Sequence, residues 1–225
     1  MNSRTGRTIS TVTEEVIKQR KLDSRNEEGL VLNAMIYLLA QEGFSVNVLK
    51  TKKTTNTNKM LIPEQIIDKD GKVFSQDGIR YLSNLLLTDL GYTPITLKAT
   101  SPKQLKRNKE SQVSNGILYI LENCGFSFEE KKTKKANVTE RLVRINQIAK
   151  NELIYNKEDL FEFGRCIEKI MSEVSEVTKS VIFTRELISS YSPVFQKNQK
   201  NWFVTGSLQD SERDEVDGFY QANYY

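Results

Sequence analysis

One segment of this chain is written twice. Residues 43–53 read GFSVNVLKTKK, and residues 125–135 read GFSFEEKKTKK, 82 positions later. An ungapped comparison of residues 25–57 with 107–139 gives 15 identities in 33 positions. They include Arg25/Arg107, Asn26/Asn108, Glu28/Glu110, Asn33/Asn115, Tyr37/Tyr119, Gly43/Gly125 and the Lys-Thr-Lys-Lys runs at 50–53 and 132–135. Self-similarity at this level implies an internal duplication, and it constrains the fold strongly: whatever the first copy builds, the second is expected to build too. Beyond it, Gln65/Gln147, Ile66/Ile148 and Asp77/Asp159 match, and apolar character tracks at Ile79/Phe161, Tyr81/Phe163 and Leu85/Ile167. The repeat then extends to about residues 90 and 172.

Each copy reads as helix, strand, loop and helix. Val31, Met35, Leu38 and Leu39 recur at helical spacing, as do Val113, Ile117, Ile120 and Leu121, predicting helices over 26–42 and 108–124. Gly43 and Gly125 stand where a helix closes with a left-handed residue. FSVNVL and FSFEE follow as short strands. IIDKDGKVF predicts a hairpin turning at Asp70-Gly71, whereas IAKNELIYN in the second copy is compatible with helix. Helices over 76–90, with Ser75 as N-cap, and 158–174 close the copies. Further helices are expected at 13–22 and 184–190, and YTPITLKAT (92–100) reads as an edge strand. The expected fold class is α+β, helix-rich, with two tandem pseudo-symmetric α-β-loop-α units. Their bounds are 11–95 and 96–190, between a disordered 1–10 and a C-terminal segment, 191–225.

Composition narrows the chemistry. The chain has no histidine, which removes His-based general bases, Ser-His-Asp and Cys-His nucleophiles and His-ligated zinc. Cys124 and Cys166 lie in apolar surroundings without metal spacing, as reduced core residues of a cytoplasmic protein would. No apolar run approaches the roughly 18 residues that span a bilayer, and no signal peptide opens the chain. No metal site or cofactor is expected, and the calcium-loop reading of Asp68–Gly71 fails at Lys72 and Val73. The net charge of +4 is uneven: residues 205–225 carry five acids and one arginine, leaving a basic body. That asymmetry points to a polyanion partner.

The repeated polar residues carry the functional reading. Lys50, Thr51, Lys52, Lys53 and Lys59 form one acid-free loop; Lys131, Lys132, Thr133, Lys134 and Lys135 form the other. Lysine supplies point charge, and threonine and asparagine can bond phosphate oxygens, so two such loops suit a nucleic-acid backbone, with duplex DNA the expected partner. Lys106 and Arg107 add a third basic run. Asn26, Asn33 and Tyr37, repeated as Asn108, Asn115 and Tyr119, share one helix stripe, expected beside the apolar one. There they cap and cover a core edge, or touch a ligand or the sister unit. The leading expectation is a non-catalytic nucleic-acid-binding protein, cytoplasmic or nucleoid-associated.

Two alternatives stand beside it. Glu129, Glu130, Lys131 and Lys132 place two Glu-x-Lys pairs on a predicted strand, after a helix bearing Glu110. The pattern resembles the PD-(D/E)xK nucleases over about 25 residues, which implies Mg²⁺ bound by these acids and a lysine that orients water. The aspartate that family carries on the preceding strand is missing. The other alternative is a structural or assembly subunit such as a nucleoprotein or capsid component. It would dock through the lone Trp202 or through the acidic tail.

Overall fold

The computed structural model describes residues 6–49, 60–95, 101–131, 142–174 and 180–191. Helix α1 (Gly6–Gln41) leads to strands β1 (Ser45–Leu49), β2 (Pro63–Ile67) and β3 (Val73–Ser75), and then to α2 (Gln76–Asp89). The same order follows in α3 (Pro102–Asn123), β4 (Phe126–Glu130), β5 (Ile145–Lys150), β6 (Leu153–Tyr155) and α4 (Lys157–Val174). Strand β7 (Ser180–Phe183) is the last strand of this compact unit, which ends at Arg185; a second unit begins at Glu186, and its described residues, 186–191, belong to the short helix α5 (Arg185–Tyr191). Helices and two antiparallel sheets make the fold α+β.

The first sheet has the order β3-β2-β1-β7 and the second β4-β5-β6. Their pairings coincide at an offset of 82. Ser45↔Ile67, Val46↔Ile66, Asn47↔Gln65 and Val48↔Pro63 reappear as Ser127↔Ala149, Phe128↔Ile148, Glu129↔Gln147 and Glu130↔Ile145. Even the bulge recurs, between Asn47 and Val48 and between Glu129 and Glu130. Both strands are entered the same way. Gly43 and Gly125 take φ of +90° and +87°, a left-handed cap that a Cβ would strain, and their N–H groups donate to Ala40 and Glu122.

The helices exchange partners. α4 packs on α1, and α2 packs on α3, so each segment's last helix covers the other segment's first. Both crossings are close because one residue lacks a side chain. A Cβ on Gly116 of α3 would collide with the Ile79 carbonyl of α2, and one on Gly164 of α4 with the Leu30 carbonyl of α1. Around these crossings lie Leu32, Met35, Ile36, Leu39, Ile79, Leu86, Leu87, Ile117, Leu121 and Ile167, all buried. Tyr37 stacks on Phe163 with ring centroids 4.5 Å apart and planes 6° apart, and Tyr155 meets Phe163 edge-on at 5.6 Å.

Several expectations are corrected. Residues 6–41 are one helix, not a disordered start followed by two helices; residues 1–5 lie outside the described residues. The helix expected at 13–22 is part of α1, and residues 16–20 there are exposed. IAKNELIYN is a β-hairpin, turned at Asn151 with φ 53°, a conformation asparagine tolerates. That hairpin is one residue shorter than its counterpart, since Ile66↔Phe74 becomes Ile148↔Tyr155. The offset after it is therefore 81, and Ile79, Ser83 and Leu86 correspond to Leu160, Gly164 and Ile167 rather than to the residues paired above. Residues 92–95 form no strand. Tyr92 is tied by its hydroxyl to Glu130, Ile95 is buried with its carbonyl accepting from Gln112, and residues 96–100 lie outside the described residues. Strand β7 was not among the expected elements.

Gly116→Ala and Gly164→Ala should each destabilise the protein by about 1–3 kcal/mol, because the helices must separate to admit the methyl group. Urea unfolding with an unchanged slope checks this; wild-type stability in both variants would show that the helices do not cross this closely.

Candidate nucleic-acid interface

The stripe expected beside the apolar one lies largely inside the protein. Asn33 and Asn115 are 0% exposed, Asn108 and Tyr37 are buried, and Asn26 and Tyr119 are half-buried. A buried amide needs partners, and here the partner is backbone. The Leu61 N–H donates to Asn33 Oδ1 at 3.1 Å, and the Val143 N–H donates to Asn115 Oδ1 at 2.9 Å, each across 28 residues. Leu61 and Val143 are again 82 apart, and each follows a lysine-rich stretch in the sequence. Each asparagine therefore anchors the chain at the start of the segment that leads into β2 or β5. Asn33 also donates from Nδ2 to Glu168 of α4 at 3.4 Å. Burial raises the Tyr37 hydroxyl far above its ordinary range.

Beside these anchors lies a cleft of about 580 Å³, built on the middle of α1 and the N-terminal half of α3. Arg20, Arg25, Arg107 and Arg144 line it together with Glu28, Glu110, Met60 and Leu142. Helix α3 starts cleanly here: Pro102 opens it, and the Ser101 hydroxyl caps it by accepting from Gln104 N–H at 3.3 Å. Arg25 Nη2 lies 3.6 Å from Glu110 Oε2, and Lys106 Nζ lies 3.6 Å from Glu110 Oε1. Arg144 Nη2 lies 2.6 Å from Glu28 Oε1, an ion pair by distance whose angles are poor for a hydrogen bond. The acids sit deep and the guanidinium groups sit high: Glu110 is 15% exposed and Arg25 53%. A smaller cavity of about 80 Å³ continues from it, sharing Ser24, Glu28, Leu142 and Arg144 and adding Lys131 and Lys157. Lys157 pairs with Glu27 at 3.0 Å.

Lys50, Thr51, Lys52, Lys53, Lys59, Lys132, Thr133, Lys134 and Lys135 lie outside the described residues, as do Trp202 and the acidic tail. Lys131 is exposed at the end of β4, its N–H donating to the Arg144 carbonyl at 2.7 Å. Lys106 and Arg107 are exposed near the start of α3, and Arg107 lines the cleft. The carboxylates of the nuclease alternative have separate engagements. Glu110 faces Arg25 and Lys106, Glu130 accepts from the Tyr92 hydroxyl at 2.7 and 3.0 Å, and Glu129 is exposed on β4. Among the described residues no group of three acids and cysteines is placed to hold a metal ion, and no helix is long and apolar enough to cross a membrane. Arg20, Arg25, Arg144 and Glu28 were not among the expected site residues, although the Arg25/Arg107 and Glu28/Glu110 matches were signals that pointed to them.

No protein-family model, curated protein or solved structure matches this chain.

Asn115→Ala should cost about 1–3 kcal/mol of stability, since it leaves the buried Val143 N–H without its acceptor. Hydrogen exchange locates the loss: protection at Val143 and along β5 should fall first. Unchanged exchange there would mean that the amide does not anchor the strand.

Proposed function

We propose that the protein binds nucleic acid, gripping the phosphate backbone through paired basic segments, without catalysis. Duplex DNA is the expected target, and a cytoplasmic or nucleoid-associated setting goes with it. The observation that carries the reading is convergence. Four arginines gather in one cleft, and Met60 and Leu142, which follow the two lysine-rich stretches in the sequence, lie on the wall of that same cleft. Against four arginines the lining sets two glutamates, so the cleft keeps positive charge, which suits a polyanion. Internal duplication accounts for the pairing. The coincident strand registers and the twin asparagine anchors support one ancestral unit copied in tandem. The acidic tail and Trp202 belong to this proposal as a regulator of access and as a contact for a protein partner.

Replacing Lys52, Lys53, Lys134 and Lys135 with alanine should weaken binding to all sequences. It should also flatten the salt dependence of log K by about one unit for each phosphate no longer held. Anisotropy titrations of a labelled duplex over roughly 50 to 200 mM salt check it, and an unchanged slope would sink the reading. Mg²⁺-dependent cutting in the same tubes would favour the nuclease instead.

Truncation after Gly206 tests the tail. Tighter non-specific binding at low salt is expected once a −4 segment, five acids against one arginine, stops competing with phosphates. Superimposable isotherms would leave the tail no regulatory part.

A further inference from the structure

We infer that the arginine cleft receives a duplex across a two-fold axis, Arg25 and Arg107 each holding a phosphate of a different strand. This rests on the nucleic-acid reading above and adds the residues and the geometry.

The exchange of helices points to the axis. α4 lies on α1 and α2 on α3, so the contact the first segment makes with the second is the contact the second makes with the first. Reciprocity of this kind belongs to a two-fold relation; a simple translation would leave one helix pair unmatched. The cleft lining has the same property. Arg25 and Arg107, Glu28 and Glu110, and Met60 and Leu142 are three pairs, each 82 residues apart, facing one cavity. The axis therefore passes through the cleft. Arg20 and Arg144 have no such counterparts, since Pro102 and Ile62 occupy the matching positions, so the symmetry is local to the paired residues.

The ligand follows from that symmetry. A single strand has a direction and cannot present the same face to two residues related by a two-fold axis. The backbones of a duplex run antiparallel and are related by such axes, so two equivalent arginines can meet two equivalent phosphates. At about 580 Å³ the cleft cannot enclose a duplex, which must lie across its mouth. The side chains suit that placement. A guanidinium offers five N–H donors in a fork, and a glutamate on one side leaves the others for phosphate. With Glu110 at 15% exposure and Arg25 at 53%, the acid acts as a positioning residue from below while the cation faces outward.

Anisotropy with a non-repeating duplex and with each of its strands decides the matter, on variants whose thermal melts match wild type. Arg25→Ala and Arg107→Ala should weaken duplex binding equally, within about twofold, and each should lower the salt slope by about one. The double variant should lower the slope by about two units, and Lys replacements should recover the slope but not all the affinity, since an ammonium lacks the fork. Single strands should bind more weakly than the duplex. Effects differing by more than about fivefold, or single strands binding as tightly as the duplex, would overturn the two-fold placement. Displacement of the duplex by ATP or inorganic phosphate at concentrations near the duplex's own Kd would overturn it in favour of a small-anion site. If the arginine variants are silent while the four-lysine variant still has a flatter slope, the cleft inference fails and the nucleic-acid reading stands. If wild type binds neither duplex nor strand, both fail.

Discussion

Everything in this fold depends on two helix crossings in which a residue without a side chain meets a carbonyl. Gly116 lies against Ile79, and Gly164 lies against Leu30. Close approach of this kind maximises dispersion attraction between the neighbouring Leu, Ile and Met side chains, and interiors tolerate little slack. Because α2 belongs with the first strands and packs on α3, and α4 belongs with the second strands and packs on α1, neither segment can cover its own first helix. The hydrophobic face of α1 is complete only when residues after 157 have arrived. The two halves are therefore one cooperative core, and the sheets sit where that core puts them.

The buried asparagines transmit this order outward. A leucine at residue 33 or 115 would fill the space but leave the N–H of Leu61 or Val143 without a partner. An unpaired buried donor costs about 1–3 kcal/mol, comparable to what the extra apolar burial would return. The amide makes the return of the chain specific. It ties Leu61 and Val143 to α1 and α3, next to Met60 and Leu142 on the cleft wall. Tyr37, stacked on Phe163, performs a related task between α1 and α4.

How much of this was legible varied with the range of the interaction involved. The helix ends at Gly43 and Gly125, the strands after them and the Ser75 cap are local, and local pattern found them. The asparagine stripe was legible as lying beside the apolar one, but its partners were not, because the backbone group that satisfies each amide lies 28 residues away. The helices expected at 13–22 and 26–42 both belong to α1, but their continuity and the turns before residue 13 carry no apolar repeat that local pattern could follow. The second hairpin was misread because it is one residue shorter, and an ungapped comparison hides the change from 82 to 81. The cleft was invisible for a stronger reason. Arg25 meets Glu110 only because α1 and α3 are brought side by side by helices that come later in the chain.

The magnitude of those ion pairs bears on why they exist. Arg25 is half exposed and lies 3.6 Å from Glu110, and Arg144 is 45% exposed beside Glu28. Solvent-screened pairs of this kind contribute roughly 0–1 kcal/mol, too little to hold two helices that already share a packed core. Meanwhile each acid lies mostly out of water, Glu110 at 15% and Glu28 at 21% exposure. An arrangement that adds little stability and partly desolvates two carboxylates is better explained by what it does to the cations. Without Glu28 and Glu110, four arginines around one cavity would repel one another and swing into solvent in many rotamers. With the acids beside them, Arg25 and Arg144 are held at the cleft while remaining 53% and 45% exposed. Under the proposed reading, a phosphate would meet donors that have already given up much of their conformational freedom, with less ordering cost left to offset on binding.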